Sequence, residues 1–215
     1  MTDGPSLRHP GSLRPVDRAS LFAPAPDVAR RLLGCVITSE LPGGRVRARL
    51  VETEAYRQDD AASHSARGRT PTTEPMFGPP GHSYVYFTYG MHHCMNVSCE
   101  AAGVGAAVLL RAAVILEGIE EARVRRGTRT DRDLARGPGR LARALGLDRA
   151  WSGCDLLDPA GSLRLEEDGW QPDRGAIRRG PRTGVRQAAD VPWRFWIADV
   201  PEVSPHRRHP AAARR

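Results

Sequence analysis

The sequence predicts an α+β fold in a single mixed domain, and three observations carry that expectation. Strand-like segments come in pairs joined by tight turns, at Pro42-Gly43-Gly44 and at Tyr89-Gly90-Met91. Segments with helical spacing stop at glycines, at Gly34, Gly127 and Gly146. Strands and helices follow one another in mixed order with hairpins, not as a regular strand–helix alternation. In chain order, residues 1–19 are rich in Pro, Gly, Ser and Arg without periodicity and read as a flexible arm. Pro26-Asp27 opens a short helix that ends at Gly34. Cys35–Leu41 and Arg45–Tyr56 read as two strands, the second with Leu50, Glu52, Glu54 and Tyr56 on one face. Residues 57–82 hold little apolar material beyond Met76 and Phe77, so a long loop is expected, and loops of that length are usually functional. Ser83–Thr88 and His92–Ser98 form the second hairpin. Ala106–Ile115 is an apolar strand interrupted by Arg111. Leu116–Arg126 has Glu117, Glu121 and Arg125 at helical spacing, and Arg140–Leu145 makes another helix after Gly137-Pro138-Gly139. Short strands are expected around Leu163–Leu165, Ala176–Arg179 and Trp193–Asp199, and residues 204–215 read as a frayed basic tail, leaving one domain over 20–203.

Composition narrows the chemistry. Among 215 residues, 32 are basic and 25 acidic, a formal net charge of +7, and every basic residue is arginine. The absence of lysine excludes a P-loop lysine, a pyridoxal Schiff base and a lysine nucleophile. Codon bias accounts for the missing lysine, but not for the surplus charge, which points to a polyanion such as nucleic acid. Cys35, Cys94, Cys99 and Cys154 form no C-x-x-C pair, and no run approaches the roughly 18 apolar residues of a membrane span. A cytoplasmic protein with reduced thiols and no membrane partner is expected. His92, His93, Cys94 and Cys99 match no standard zinc spacing, so no metal is expected. The glycines of Ala102-Gly103-Val104-Gly105 lack the third glycine and following helix of a dinucleotide site.

Candidate functional residues cluster between positions 50 and 111. All four tyrosines, Tyr56, Tyr84, Tyr86 and Tyr89, fall within 34 residues of a chain with only 6% aromatic content. Cross-strand ring packing explains Tyr84. Tyr89 sits at a hairpin tip beside Gly90, where a large ring has little to pack on; an exposed wedge of that kind can enter a base stack. Glu52 and Glu54 share a face. One is expected to be solvated and the other to serve as a general base, and spacing alone does not choose between them. Arg111 in an apolar strand needs a partner, either a structural ion pair or one of those glutamates. His64, between two serines, reads from its local sequence as a polar loop residue.

Several ordered motifs then resemble a known family: Val51-Glu52-Thr53-Glu54-Ala55-Tyr56, Ser63-His64-Ser65, Tyr84-Val85-Tyr86-Phe87-Thr88-Tyr89-Gly90-Met91, Met95-Asn96-Val97-Ser98, Leu109-Leu110-Arg111-Ala112, Gly137-Pro138-Gly139-Arg140-Leu141 and Gly180-Pro181-Arg182-Thr183-Gly184-Val185. From about Leu21 to Val203 the chain resembles a bacterial member of the alkyladenine (3-methyladenine) DNA glycosylase family. The resemblance implies a curved antiparallel sheet with flanking helices and a protruding hairpin that inserts into DNA. It implies Glu54 as general base, with Arg111 and the Val185 carbonyl holding the attacking water. Tyr56, His64 and Tyr86 would sandwich the flipped base, Asn96 would disfavour the exocyclic amino group of guanine, and Tyr89 would fill the gap in the duplex. The implied protein is a monofunctional, cofactor-free, monomeric hydrolase of damaged double-stranded DNA, working at the bacterial nucleoid. The pair His92-His93 departs from the aromatic or aliphatic residues that relatives often carry there. The competing readings are a non-catalytic nucleic-acid-binding module and a hydrolase of small nucleosides. The first leaves a strand carboxylate opposite a buried arginine unexplained, and the second has no use for an exposed Tyr89.

Overall fold

The long strand β3 (Gly44–Tyr56) organises the molecule, in a computed structural model that describes residues 6–212. Along one edge it pairs with β6 (Ala107–Glu117). Its other edge is shared, by β2 (Val36–Leu41) over the first half and by the short β9 (Arg194–Ile197) over Glu52–Glu54. From this spine one antiparallel sheet spreads in the order β1 (Arg14–Pro15), β7 (Leu163–Glu167), β2, β3, β6, β5 (His92–Ser98), β4 (Ser83–Thr88). β8 (Ile177–Gly180) pairs with β9. The sheet curls into a half-barrel flanked by helices α1 (Ala25–Arg31), α2 (Ile119–Arg126) and α3 (Pro138–Leu145). The α+β class read from the sequence is the class observed. The core is Val28 and Leu32 from the α1 segment, Leu141 and Leu145 from α3, and Ile37, Leu50, Met95 and Leu110 from the sheet. Burying each such side chain contributes about 1.5–3 kcal/mol. No helix among the described residues is long and apolar enough to cross a membrane.

Three expected boundaries shift. β6 continues through Leu116 and Glu117, where a helix is expected, because Glu117 pairs across the strands with Arg47 at 2.8 Å. The helix starts only after Gly118, whose φ of +76° turns the chain; a Cβ there would lie 2.0 Å from the Arg45 carbonyl oxygen. The long loop contains two single 3-10 turns, His64–Arg67 and Glu74–Phe77, and buries Met76 and Phe77 beneath Tyr84. The third shift is at the N-terminal segment. Residues 1–5 of the expected arm lie outside the described residues, but Arg14–Pro15 joins the sheet beside β7. Fully buried Arg49 takes Asp168 as a bidentate partner at 2.7 and 3.1 Å and donates to the Leu7 carbonyl, while Asp168 also accepts the Gly11 N–H. Composition reads such a segment as loose because its partners, Glu167 and Asp168 for the backbone and side chains around Gly11 and Arg14 and Glu202 for Arg8, lie more than 150 positions away.

Candidate active site

Two bulges bring the charged residues together. Pairing between β3 and β6 steps from Leu50–Ala113 to Glu52–Ala112 and then to Thr53–Leu110, leaving Val51 and Arg111 each without an opposite residue. Bulges re-aim side chains, and here they turn Arg111 onto both strand carboxylates. Its Nε donates to Glu52 Oε1 at 2.9 Å, and its Nη1 lies 3.3 Å from Glu54 Oε2. All three residues are buried. Both alternatives for Arg111 therefore hold at once: it is a structural ion pair and it faces the glutamates.

The two carboxylates have different surroundings. Glu52 accepts from Arg111, from Arg194 Nε at 2.6 Å, from the Ser204 N–H at 2.8 Å and from Ser204 Oγ at 2.9 Å. Burial alone would push its carboxyl up, but the charges of Arg111 and Arg194 and the Ser204 hydrogen bonds prevail and hold it below the usual carboxylate range. The expectation that one of the pair is solvated is thus corrected: both are 0% exposed, because this arginine–serine network gives Glu52 the donors that water would otherwise supply. Glu54 has neutral donors besides the Arg111 edge. Its Oε1 accepts the Thr183 N–H at 2.7 Å and its Oε2 accepts the Tyr56 hydroxyl at 2.8 Å. Burial and the Glu54 charge hold the Tyr56 phenol well above its ordinary pKa, so it stays protonated and donates.

A cavity of about 750 Å³ opens above this group. Seven of the eight residues singled out from the sequence line it: Tyr56, His64, Tyr86, Tyr89, Asn96, Arg111 and Val185. Glu54 lies directly behind, bonded to the lining residues Tyr56 and Thr183. His64 and Tyr86 pack edge to face with centroids 4.5 Å apart, so they form one continuous wall rather than two sides of a slot. Tyr84 supports that wall from the core. It is 2% exposed, its ring stacks on Tyr86 at 5.6 Å, and its hydroxyl meets His64 Nδ1 at 2.9 Å. Desolvation against the cavity wall and the nearby Arg67 charge lower the pKa of His64 from the ordinary 6.5. Asn96, buried on β5, donates from Nδ2 to the Tyr84 carbonyl at 3.0 Å.

The hairpin β4–β5 stands beside this cavity. At its tip Tyr89 and Gly90 have φ of +52° and +65°, closed by the Met91 N–H donating to the Thr88 carbonyl at 3.2 Å. Left-handed backbone at a tyrosine costs about 1–3 kcal/mol and tends to cluster at functional sites. Tyr89 is 76% exposed, and Phe87 and Met91 flank it in the open. Arg67, Arg186 and Arg207 line the same cavity from exposed positions, without a carboxylate among the lining residues. His92 packs over Gly139 at the start of α3, where a Cβ would meet its ring at 2.9 Å, and His93 sits against Phe87.

Sequence reasoning missed five residues of this site. Arg182 is 1% exposed, forms a two-pronged pair with Asp60, donates to the Ala55 carbonyl at 3.0 Å and lies 4.7 Å from the Tyr56 ring centroid. Thr183 follows it and binds Glu54. Both lie in the Gly180–Val185 motif, which was therefore the available signal. Asp60, Arg194 and Ser204 had none. Ser204 falls by composition at the start of the basic tail, yet it is buried, and a few residues on the Arg207 carbonyl accepts the Gly184 N–H at 2.8 Å. That bond ties the chain end to the Val185 loop. Residues 213–215 of the tail lie outside the described residues. Chemically, the arrangement joins a braced carboxylate, an aromatic recess for a flat ring and a cationic rim for an anionic polymer.

A family model described as methylpurine-DNA glycosylase matches residues 20–201. Curated relatives named "Putative 3-methyladenine DNA glycosylase" include one from Streptomyces avermitilis, 49% identical over 94% of this chain and 96% of its own. A second, from Nocardia farcinica, is 49% identical over 89% of this chain and 92% of its own. A third, from Mycobacterium tuberculosis, is 49% identical over 87% and 92% respectively.

Proposed function

The chain belongs to the methylpurine-DNA glycosylase family, and from that membership we propose that it flips alkylated or deaminated purines out of duplex DNA and hydrolyses their N-glycosidic bond with a water activated by Glu54. As a member it is a DNA glycosylase, a hydrolase of base excision repair acting on DNA. The carrying observation is the pair of glutamates with unequal surroundings: Glu52 taken up by Arg111, Arg194 and Ser204, and Glu54 at the back of an aromatic cavity, 3.3 Å from Arg111 and otherwise held by the neutral donors Thr183 and Tyr56.

The proposed sequence of events follows from those surroundings. Extruding a purine costs a few kcal/mol of stacking and pairing. Tyr89, raised on a strained tip, fills the vacated place, while Arg67, Arg186 and Arg207 hold phosphates at the rim. The extruded base lies between Tyr56 and the joined His64–Tyr86 wall, and Asn96 disfavours the exocyclic amino group of guanine. Bond cleavage builds positive charge on the sugar, as in glycoside hydrolysis. Ionised Glu54 stabilises that charge and takes the proton from water, which the Arg111 guanidinium and the Val185 carbonyl help to orient. Candidate substrates are 3-methyladenine and 7-methylguanine, whose positive charge is discharged as the base departs neutral, and hypoxanthine and ethenoadenine, whose leaving nitrogen takes up one proton, in net balance the one released by the attacking water.

The direct test is a duplex carrying one hypoxanthine or 7-methylguanine. Free base and an intact but abasic strand are expected, and no release from either lesion rejects the proposal. Strand nicking by a glycosylase usually proceeds through an amine, and this chain has no lysine. Borohydride is accordingly expected to trap no covalent protein–DNA adduct; a trapped adduct would overturn the monofunctional assignment. For Tyr89→Ala, affinity for lesion duplex is expected to fall by roughly tenfold, since one stacked aromatic contributes about 1–3 kcal/mol. A change in neither binding nor base flipping, followed by 2-aminopurine fluorescence beside the lesion, would remove Tyr89 from the role.

A further inference from the structure

We infer that Arg182, held against the concealed face of Tyr56, sets the charge preference of the base pocket, weakening its attraction for cationic alkylated purines relative to neutral ones. The inference rests on the proposed role of Tyr56 as a wall of that pocket. Tyr56 lines the cavity, whereas Arg182 is 1% exposed and does not. The guanidinium 4.7 Å from the ring centroid therefore covers the face the cavity does not use. An aromatic ring attracts cations through the negative potential of its faces. A fixed cation on one face draws on that potential and repels a second cation across the ring.

Nothing lets the guanidinium leave. Asp60 grips it with both oxygens, the Ala55 carbonyl accepts from Nη1 at 3.0 Å, and the Trp193 ring lies 5.4 Å away on its flank. Nor do the surrounding charges reverse the effect. Behind the pocket, Glu52, Glu54 and Asp60 are matched by Arg111, Arg194 and Arg182. At the rim the charges are all positive, at Arg67, Arg186 and Arg207. A base carrying a formal positive charge, such as 7-methylguanine, thus gains little from stacking on Tyr56, while a neutral base such as hypoxanthine keeps the full dispersion contact. Arg182 acts through Tyr56 and is a positioning and specificity residue rather than a catalytic one.

The test compares single-turnover excision of 7-methylguanine and hypoxanthine from otherwise identical duplexes. The double variant Asp60→Asn with Arg182→Gln removes both charges and keeps a hydrogen-bonding pair in their place. Its ratio of 7-methylguanine to hypoxanthine rates is expected to rise about threefold or more over that of the parent, the span of an exposed-to-buried cation–π contact. Equal slowing of both lesions, or an unchanged ratio, overturns the inference. A second variant leaves Arg182 untouched and covers the case in which the double variant fails to fold. Tyr56→Leu removes the ring, and both lesions are expected to slow alike, within about twofold of each other, because the ring supplied no cation preference to lose. A selective loss of 7-methylguanine excision in that variant also overturns it. If Tyr56→Leu slows neither lesion, the assignment of Tyr56 to the pocket fails, a result distinct from a failure of Arg182.

Discussion

Glu54→Gln is expected to bind lesion-containing duplex as tightly as the parent protein, while its single-turnover excision rate falls by about 10²–10⁴, the range for loss of a positioned general base. The amide is nearly isosteric with the carboxylate. Its carbonyl oxygen can still accept the Thr183 N–H that Glu54 Oε1 accepts at 2.7 Å. Arg111 keeps Glu52, so the guanidinium does not lose its principal anchor. What disappears is the negative charge behind the cavity, needed both to oppose developing positive charge on the sugar and to take a proton. The measurement pairs an anisotropy titration with rapid-quench excision under enzyme excess. An excision rate within a few-fold of the parent would remove Glu54 from the reaction. A matching loss of affinity would mean that the residue shapes the pocket instead.

Glu52→Ala should be the most destabilising single change at the site, by about 3–5 kcal/mol, because it leaves two arginines buried without their shared carboxylate. Arg111 and Arg194 are 5% and 4% exposed, and Ser204 would lose both the acceptor of its N–H and that of its hydroxyl. A urea titration with unchanged slope and a lowered midpoint measures the effect; a loss below about 1 kcal/mol would show the network to be dispensable. The sign with pH also follows. Arg111 and Arg194 depress the Glu52 carboxyl in the folded protein. Its contribution is therefore present above the unfolded value of about 4.3 and is lost as pH falls through the lower folded value. The parent protein should lose stability over that acid window, and the variant should show a shallower acid slope.

The family's ordered motifs were legible in the sequence because they are local. Each spans a few residues whose types and order survive without knowledge of the fold. The hairpins, the glycine-stopped helices and the apolar strand around Arg111 were legible for the same reason, since periods of 2 and 3.6 are properties of adjacent turns of chain. The end of β6 escaped, because Glu117 fits a helical pattern as well as a strand and only its cross-strand partner Arg47 decides. The solvated reading of one glutamate failed in the same way: alternation shows that Glu52 and Glu54 share a face but not what covers it.

Composition and order by themselves determined the α+β class, the cationic surplus and the exclusion of lysine chemistry, while the short list of pocket residues came from the family resemblance of the ordered motifs. Tertiary structure alone decided which carboxylate is enclosed by two arginines and a serine and which meets only the edge of Arg111 beside neutral donors. The deciding contacts join Glu52 to Ser204 across 152 positions and Glu54 to Thr183 across 129. Two bulges and the return of the chain end onto the sheet create them. No local pattern encodes such a meeting, because it depends on how the whole sheet curls and on which distant donors that curl brings within hydrogen-bonding reach.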